Sequence, residues 1–188
     1  KDKLAKQIDL FMNGGDDLGF VYGRSMVIFD DYKKEDFIYK ADTLLPEGDI
    51  FAELVKENFI VFSSAMINRE KFYKSGGFPE HFLNSTDYWV FLHMAKDYKC
   101  RAIHEVCCKN RIHEKNLSAK QNVVGGQEDI EVLNDLLPDE RVVAGLKYQY
   151  VNLAVMYIKE MELLSLIILL VKHGGVWLLC KRVFKWLH

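Results

Sequence analysis

Apolar positions along the chain recur at the helical period and at the strand period up to about residue 126, and at the helical period alone beyond it. Before that point, segments with a helical period alternate with strand-like segments rich in β-branched and aromatic residues. The helical segments are 2–12, 49–55, 69–75 and a longer one from Tyr88 to Tyr98, and the strand-like segments are 20–29, 37–39, 59–67 and 100–112. We predict an α/β domain with a partial mixed sheet and flanking helices over residues 1–126, followed by an all-helical extension over residues 127–188.

The pattern also predicts the structure at the start and at the end of the α/β domain. The first helix is amphipathic, with Leu4, Ile8 and Phe11 on one face, and it stops at Asn13. The segment 119–126, which ends in a pair of glycines, is predicted to be a loop.

The stretch 63–98 organises the first part of the chain. Gly76 and Gly77 suit a helix stop in the left-handed region after the helix over 69–75, and Asp87 stands in the first turn or at the N-cap of the next helix. As a cap, Asp87 would contribute about 0.5–2 kcal/mol relative to alanine. As a functional carboxylate, it would be kept ionised by the helix dipole. Both interpretations can hold together, and the other candidate caps are Ser85 and Thr86.

Composition narrows the classes of function. The chain has 25 Lys and Arg against 27 Asp and Glu, so its overall charge does not predict nucleic-acid binding. The first residues are charged rather than apolar, and we expect a cytoplasmic protein whose four cysteines are reduced thiols. A zinc site made of His104, Cys107, Cys108 and His113 lacks a standard ligand spacing.

Most common catalytic motifs lack the residues they need. The chain contains neither a phosphate-binding glycine loop nor a nucleophile elbow. The acidic pairs at 16–17 and 30–31 fall where turns are expected, so we interpret them as solvated turn acids rather than cation ligands. Arg111 and His113 are alternate residues of a strand and share a face. They are either a clamp for an anion such as a diphosphate or an ordinary surface pair.

The C-terminal part combines an apolar run with a basic segment that carries tryptophans. Residues 163–171 are apolar apart from Ser165, and nine residues are too short to cross a bilayer, which takes about 20. Residues 176–188 mix Trp177 and Trp186 with Lys and Arg. We predict either helices packed against protein or helices that lie on a membrane surface.

A series of short motifs occurs in a fixed order between residues 2 and 118. The motifs are Lys3, Leu4 and Gln7, then Phe20 to Tyr22, then Pro46, Gly48, Ile50 and Phe51, then Asn58, Phe59 and Ile60, then Ser63, Ser64, Met66 and Arg69, then Gly76, Gly77 and Phe78, then Asp87 and Tyr88, and last Arg111, His113, Asn116 and Ser118. In order and spacing this series resembles the second, acceptor-side half of a family 2 glycosyltransferase of the inverting GT-A type.

The resemblance implies transfer of a sugar from a nucleotide-sugar donor to a glycan or lipid-linked acceptor, as in polysaccharide biosynthesis. It implies that Asp87 is the general base, which takes the proton of the attacking hydroxyl. The implied acceptor-binding residues are Gly77, Phe78 and His81, and the implied diphosphate-binding residues are Arg111 and His113, with His113 also a candidate metal ligand.

The chain departs from the family pattern in two ways. Thr86 stands where the family has a second acid, and the Asp-x-Asp metal motif would precede the first residue. We therefore expect a fragment that is inactive alone, with Mg²⁺ or Mn²⁺ bound only when the nucleotide-binding half is present. The lost half would expose a sheet edge, which favours a homo-oligomer. The alternative function is a non-catalytic module, peripheral at the inner face of a membrane, that docks through the C-terminal helices.

Overall fold

The computed structural model describes residues 2–113, 116, 123–159 and 163–173, and within them the chain is an α/β protein with a four-stranded mixed sheet. The helices are α1 (Lys3–Met12), α2 (Phe51–Leu54), α3 (Arg69–Lys74), α4 (Thr86–Asp97), α5 (Val123–Asn134), α6 (Glu140–Lys159) and α7 (Leu163–His173). The strands are β1 (Leu18–Phe29), β2 (Phe37–Ile38), β3 (Met66–Ile67) and β4 (Lys99–Ile112), and a 3₁₀ turn spans Phe62–Ser64. Two compact units are formed, one by Lys1–His81 with Thr86–Ala119 and the other by Phe82–Ser85 with Lys120–His188.

Strand β1 is the centre of the sheet in the first unit. Strand β4 pairs with it in parallel along its length, with irregular register in the middle. On the other edge, β3 pairs antiparallel near Phe20 and β2 pairs antiparallel near Met26. The β-branched and aromatic residues of β1 suit a strand that is buried over most of its length.

Helices cover both faces of β1, because successive strand residues point to opposite faces. Phe20 packs on Phe91 of α4, with ring centroids 5.3 Å apart. Val21 and Ile103 form a buried cluster on which Phe11 of α1 packs. The first unit is thus a layer of sheet between α1 and α4.

The face that helix α1 buries differs from the apolar face predicted from the sequence. Leu4 and Ile8 are 60% and 52% exposed, and Phe11 is half-buried. Gln7 is fully buried instead, and its Nε2 donates a hydrogen bond to the carbonyl of Ser64 at 2.8 Å. The buried face of this helix therefore combines Leu10 and Phe11, which pack on the core, with an amide hydrogen bond that apolar periodicity does not score.

The predicted strand over 59–67 is wrong over most of its length. The 3₁₀ turn interrupts it, and β3 is only two residues long. The Ser64 hydroxyl donates to the carbonyl of Val61 at 2.7 Å and accepts the N–H of Gly23 at 3.3 Å. Because a serine side chain can replace a ladder partner of the backbone, it stabilises the turn here.

The predicted loop over 119–126 is also wrong where the structure describes it, since α5 begins at Val123 and contains both glycines. A Cβ atom on Gly126 would lie 3.0 Å from Sδ of Met156 and 3.1 Å from Cδ1 of Leu153. The glycine therefore lets α5 and α6 approach closely within the second unit.

Helix α7 ends at His173, and the predicted segment 176–188 lies outside the described residues. In the part of the chain that the structure describes, no helix has both the length and the apolar character needed to cross a membrane.

Candidate functional site

Asp87 stands in the first turn of α4, one of its two predicted positions. Its side chain is half-buried, and its Oδ1 accepts a hydrogen bond from the backbone N–H of Tyr88 at 2.7 Å. The side-chain amide of Asn58 donates to the same oxygen at 3.4 Å. Asn58 is itself held because its Oδ1 accepts the N–H of Ile60 at 3.4 Å. The carboxyl group therefore has a set orientation at the start of the helix.

The surroundings of Asp87 make it a stronger base than a solvated aspartate. Burial raises the pKa of the Asp87 carboxyl, and the hydrogen bonds from Tyr88 and Asn58 reverse that rise only in part. A carboxylate that is desolvated but still hydrogen-bonded accepts a proton more readily. This is the property that a general base needs.

The glycine pair before α4 adopts the predicted left-handed backbone, with φ of +107° at Gly76 and +72° at Gly77. The N–H of Gly77 donates to the carbonyl of Phe72 at 3.0 Å and ends α3. A Cβ atom on Gly76 would lie 2.5 Å from Cη2 of Trp89, so only glycine lets the indole approach. The loop is thus packed against the first turn of α4.

The structure connects Phe78 with the helix that carries Asp87. Phe78 is 53% exposed, and its ring lies 6.0 Å from that of Phe62. Phe62 in turn packs 5.9 Å from Phe91, which is one helical turn after Asp87. His81 is exposed in the same loop.

Arg111 and His113 lie at the end of β4, where Arg111 pairs with Ile28. The Arg111 Nη1 is 3.9 Å from the carboxylate of Asp30, and both side chains are exposed. Asn116 joins the two predicted residues, since its Nδ2 donates to the carbonyl of Arg111 at 2.7 Å and its Oδ1 accepts the N–H of His113 at 3.3 Å. The pair is therefore held as one local structure.

Asp87 and Arg111 lie at different levels of β1. Asn58 is the partner of Asp87, and the next residue, Phe59, packs on Tyr22. Arg111 instead pairs with Ile28. Six residues of extended strand between these levels span about 20 Å. The diphosphate-binding role of the Arg111 pair stays a prediction.

Within the described ranges, no group of three or more His, Cys, Asp or Glu side chains is placed to hold a metal ion. The turn acids have other partners: Asp17 lies 2.7 Å from Lys99, and Asp31 accepts the N–H of Lys33 at 3.0 Å. His113, the candidate metal ligand, lies beside Arg111, whose charge disfavours a cation. The described residues do not fit a site for Mg²⁺ or Mn²⁺, and no chemical step is routed through one.

A cavity of about 290 Å³ opens at the amino ends of β1 and β4. Its charged lining residues are paired with one another, Asp17 with Lys99 at 2.7 Å and Glu47 with Arg101 at 3.3 Å. The predicted catalytic residue Asp87 does not line it. The cavity therefore does not contribute to the candidate site.

Sequence reasoning missed the partners of Asp87. Asn58 has the signature of a residue that ends a short helix, and its contact with Asp87 spans 29 positions. Phe62 falls in the predicted strand 59–67 but lies in the 3₁₀ turn and is 42% exposed. Trp89 carries no local signal of its contact with the glycine pair. Only the fold brings these side chains together.

Neither a scan against models of known protein families nor a search of curated proteins returned a match for this chain.

Proposed function

We propose that this chain is the acceptor-side half of an inverting family 2 glycosyltransferase of the GT-A type, with Asp87 as the general base. One observation carries the proposal. It is the half-buried carboxyl group at the start of α4, which Asn58 orients and whose pKa burial raises.

In the proposed reaction, the acceptor hydroxyl gives its proton to Asp87 while its oxygen forms a bond to the anomeric carbon of the nucleotide sugar. The bond between that carbon and the diphosphate breaks, and the diphosphate leaves with the bonding electrons. The hydrogen bonds from Tyr88 and Asn58 both go to Oδ1 of Asp87, and they orient the carboxyl group that takes the proton. Attack from the side opposite the leaving group inverts the anomeric centre.

The proposal assigns the remaining roles by resemblance. Phe78 and His81, which are both exposed, contact the acceptor, whereas Gly77 is buried and acts only by setting the backbone of the loop that carries them. Arg111 and His113 lie about 20 Å along the sheet from the level of Asp87, too far to hold the diphosphate of the same donor, so the diphosphate is assigned to the nucleotide-binding half. A divalent cation held by the nucleotide-binding half would neutralise charge on the leaving group when bound. We propose that activity needs that half, and that the enzyme works as a homo-oligomer in the cytoplasm at the inner membrane surface.

The test is release of nucleoside diphosphate, in the presence of oligosaccharide acceptors, from a panel of UDP-, GDP- and dTDP-sugars by the longest natural form of the protein that contains this chain. Asp87→Asn should lower the rate at least a hundredfold, because the amide cannot accept the proton. Asp97→Asn, at the exposed other end of α4, is the matched control and should leave the rate unchanged. A fully active Asp87→Asn protein would remove Asp87 from the base role.

One observation favours the docking module as a second candidate. Ile167, Ile168 and Val171 of α7 are 56%, 58% and 81% exposed, and the sequence after α7 is basic and carries tryptophans. An apolar face beside basic residues suits the surface of an anionic membrane. The test is sedimentation of the full chain with phosphatidylserine vesicles. Changing the three residues to serine should abolish co-sedimentation, and unchanged binding would exclude this role for α7.

A further inference from the structure

Four aromatic rings form a connected group beside the candidate site, here called the aromatic row: Phe62, Phe72, Tyr73 and Phe78. The ring of Phe78 lies 4.8 Å from that of Phe72 and 6.0 Å from that of Phe62, in both cases edge to face. Phe72 contacts Tyr73 at 5.3 Å in the same manner. Edge-to-face contacts hold aromatic rings in fixed mutual orientations. The row is therefore a preformed surface rather than a set of independent side chains.

Three of the four side chains of the aromatic row are exposed to solvent, although their rings pack on one another. Tyr73, Phe78 and Phe62 are 63%, 53% and 42% exposed. Exposed apolar groups that are contiguous, rather than scattered singly, usually mark an interaction site.

The border of the aromatic row is charged. Four of the six residues of α3 are charged, and Arg69 lies over the ring of Tyr73 at 5.8 Å from its centroid. A sugar ring has apolar C–H faces and a hydroxyl rim, so it matches exposed aromatic side chains that have polar neighbours. A lipid chain would place its apolar flanks against the charges of α3, which is unfavourable.

The aromatic row begins one helical turn from the proposed base. Asp87 and Phe91 are four residues apart on α4 and share a face of the helix, and Phe91 contacts Phe62 of the row at 5.9 Å. A hydroxyl at Asp87 would belong to the first ring of an acceptor. The next sugar ring would then extend toward Phe62 and Phe78.

We propose that the aromatic row binds the sugar rings that follow the reacting one, so that the acceptor is a saccharide of at least two residues. This inference rests on the proposed function for the position of the reacting hydroxyl. The binding surface itself rests on the contacts and exposure of the four rings.

The test is aromatic ¹H–¹³C NMR of the 188-residue chain, titrated with gluco-, manno-, xylo- and chito-oligosaccharides of one to six residues and with geranyl phosphate as the lipid probe. At least one oligosaccharide should shift the resonances of Phe62 and Phe78, and its monosaccharide should bind at least tenfold more weakly. Phe78→Ala and Tyr73→Ala should each weaken that binding at least fivefold. Phe37→Ala is the matched control, because Phe37 is 49% exposed on β2 and lies outside the row.

Each outcome is decisive. The proposal is overturned if no oligosaccharide shifts the resonances of the aromatic row or if the resonances of Phe37 shift equally. It is also overturned if geranyl phosphate binds the row in place of the saccharides. Asp87→Asn should keep saccharide binding while it loses sugar transfer. In the longest natural form of the protein that contains this chain, saccharide binding without transfer would overturn the proposed function alone, and transfer unaffected by Phe78→Ala would overturn only the role of the aromatic row.

Discussion

The carboxylate of Glu128 accepts a hydrogen bond from the backbone N–H of Asn84 at 2.7 Å. The N–H groups of Leu83 and Ser85 donate to the same carboxylate at 3.2 Å and 2.9 Å, and the Ser85 hydroxyl donates to Asp129 at 2.7 Å. Three successive amides around one carboxylate form an anion-binding concavity. This contact makes a short segment from the middle of the sequence part of the unit that α5 belongs to.

Glu128→Gln should destabilise the second unit by about 1–3 kcal/mol, the range for loss of a charged acceptor from buried donors. Burial acts to raise the pKa of Glu128, but the three N–H groups lower it overall. Its contribution is therefore present above the ordinary pKa of 4.5 and is lost as pH falls through the lowered value. Urea denaturation should show a larger difference between variant and wild type at pH 7 than at pH 3. Glu131→Gln, exposed on the same helix, is the control.

Asp87→Asn should raise the stability of the first unit relative to wild type at pH 7. The folded pKa of Asp87 is raised, so the ionised side chain costs stability as pH rises above the ordinary value of 3.8. Asparagine carries no charge and avoids that cost. The difference in melting temperature should vanish near pH 3, where aspartate is protonated in both states. If Asp87 acts mainly as a helix cap, the variant will instead leave the stability at pH 7 unchanged, because asparagine caps a helix as well as aspartate does.

Gly76→Ala should destabilise the protein more than Gly48→Ala. Both glycines have positive φ, +107° and +81°, so both substitutions carry a backbone cost of roughly 1–3 kcal/mol. At Gly76 the new Cβ also meets Trp89 at 2.5 Å, whereas at Gly48 nothing lies within 4 Å. The difference between the two free energies of unfolding measures the contact with the indole. Equal losses would show that the loop relaxes away from Trp89.

Cys100 should resist alkylation in the folded protein. Burial raises the pKa of the Cys100 thiol from 9.0 to about 12, so it holds about a thousandfold less thiolate than an ordinary cysteine at pH 8. Cys108, half-buried on the same strand, is the internal comparison. With iodoacetamide and peptide mass spectrometry, Cys108 should be labelled first and Cys100 only in urea. Rapid labelling of Cys100 without denaturant would show that β4 opens readily.

The elements that sequence patterns predicted correctly depend on local chemistry. The side-chain Oδ1 of Asn68 accepts the N–H of Lys71 at 3.1 Å and begins α3, and the glycine pair ends it. The aromatic and β-branched residues of β1 form the expected strand, and the fold class is confirmed as α/β. Each of these signals acts over fewer than about five residues, so it can be read without the rest of the chain.

The errors share a different cause. In α1 the buried Gln7 replaces the apolar face, and before β3 the hydroxyl of Ser64 stabilises a turn where a strand was predicted. Gly126 lies inside α5, and Met156 packs closely against it. The partners of Gln7 and Gly126 are distant in sequence, and Ser64 combines a local bond to Val61 with a distant one to Gly23, so the local preference alone does not decide these structures.

The sequence by itself determined the α/β class, the order of most helices and strands in the first unit, and the place of Asp87 in the first turn of a helix. The tertiary structure decided what that carboxyl group is next to: Asn58 holds it, and Phe62 links it to an exposed set of rings. Helix starts and strand periods follow from interactions between near neighbours in the chain. The basicity of a buried acid and the shape of a binding surface follow from desolvation and packing, which involve residues far apart in sequence.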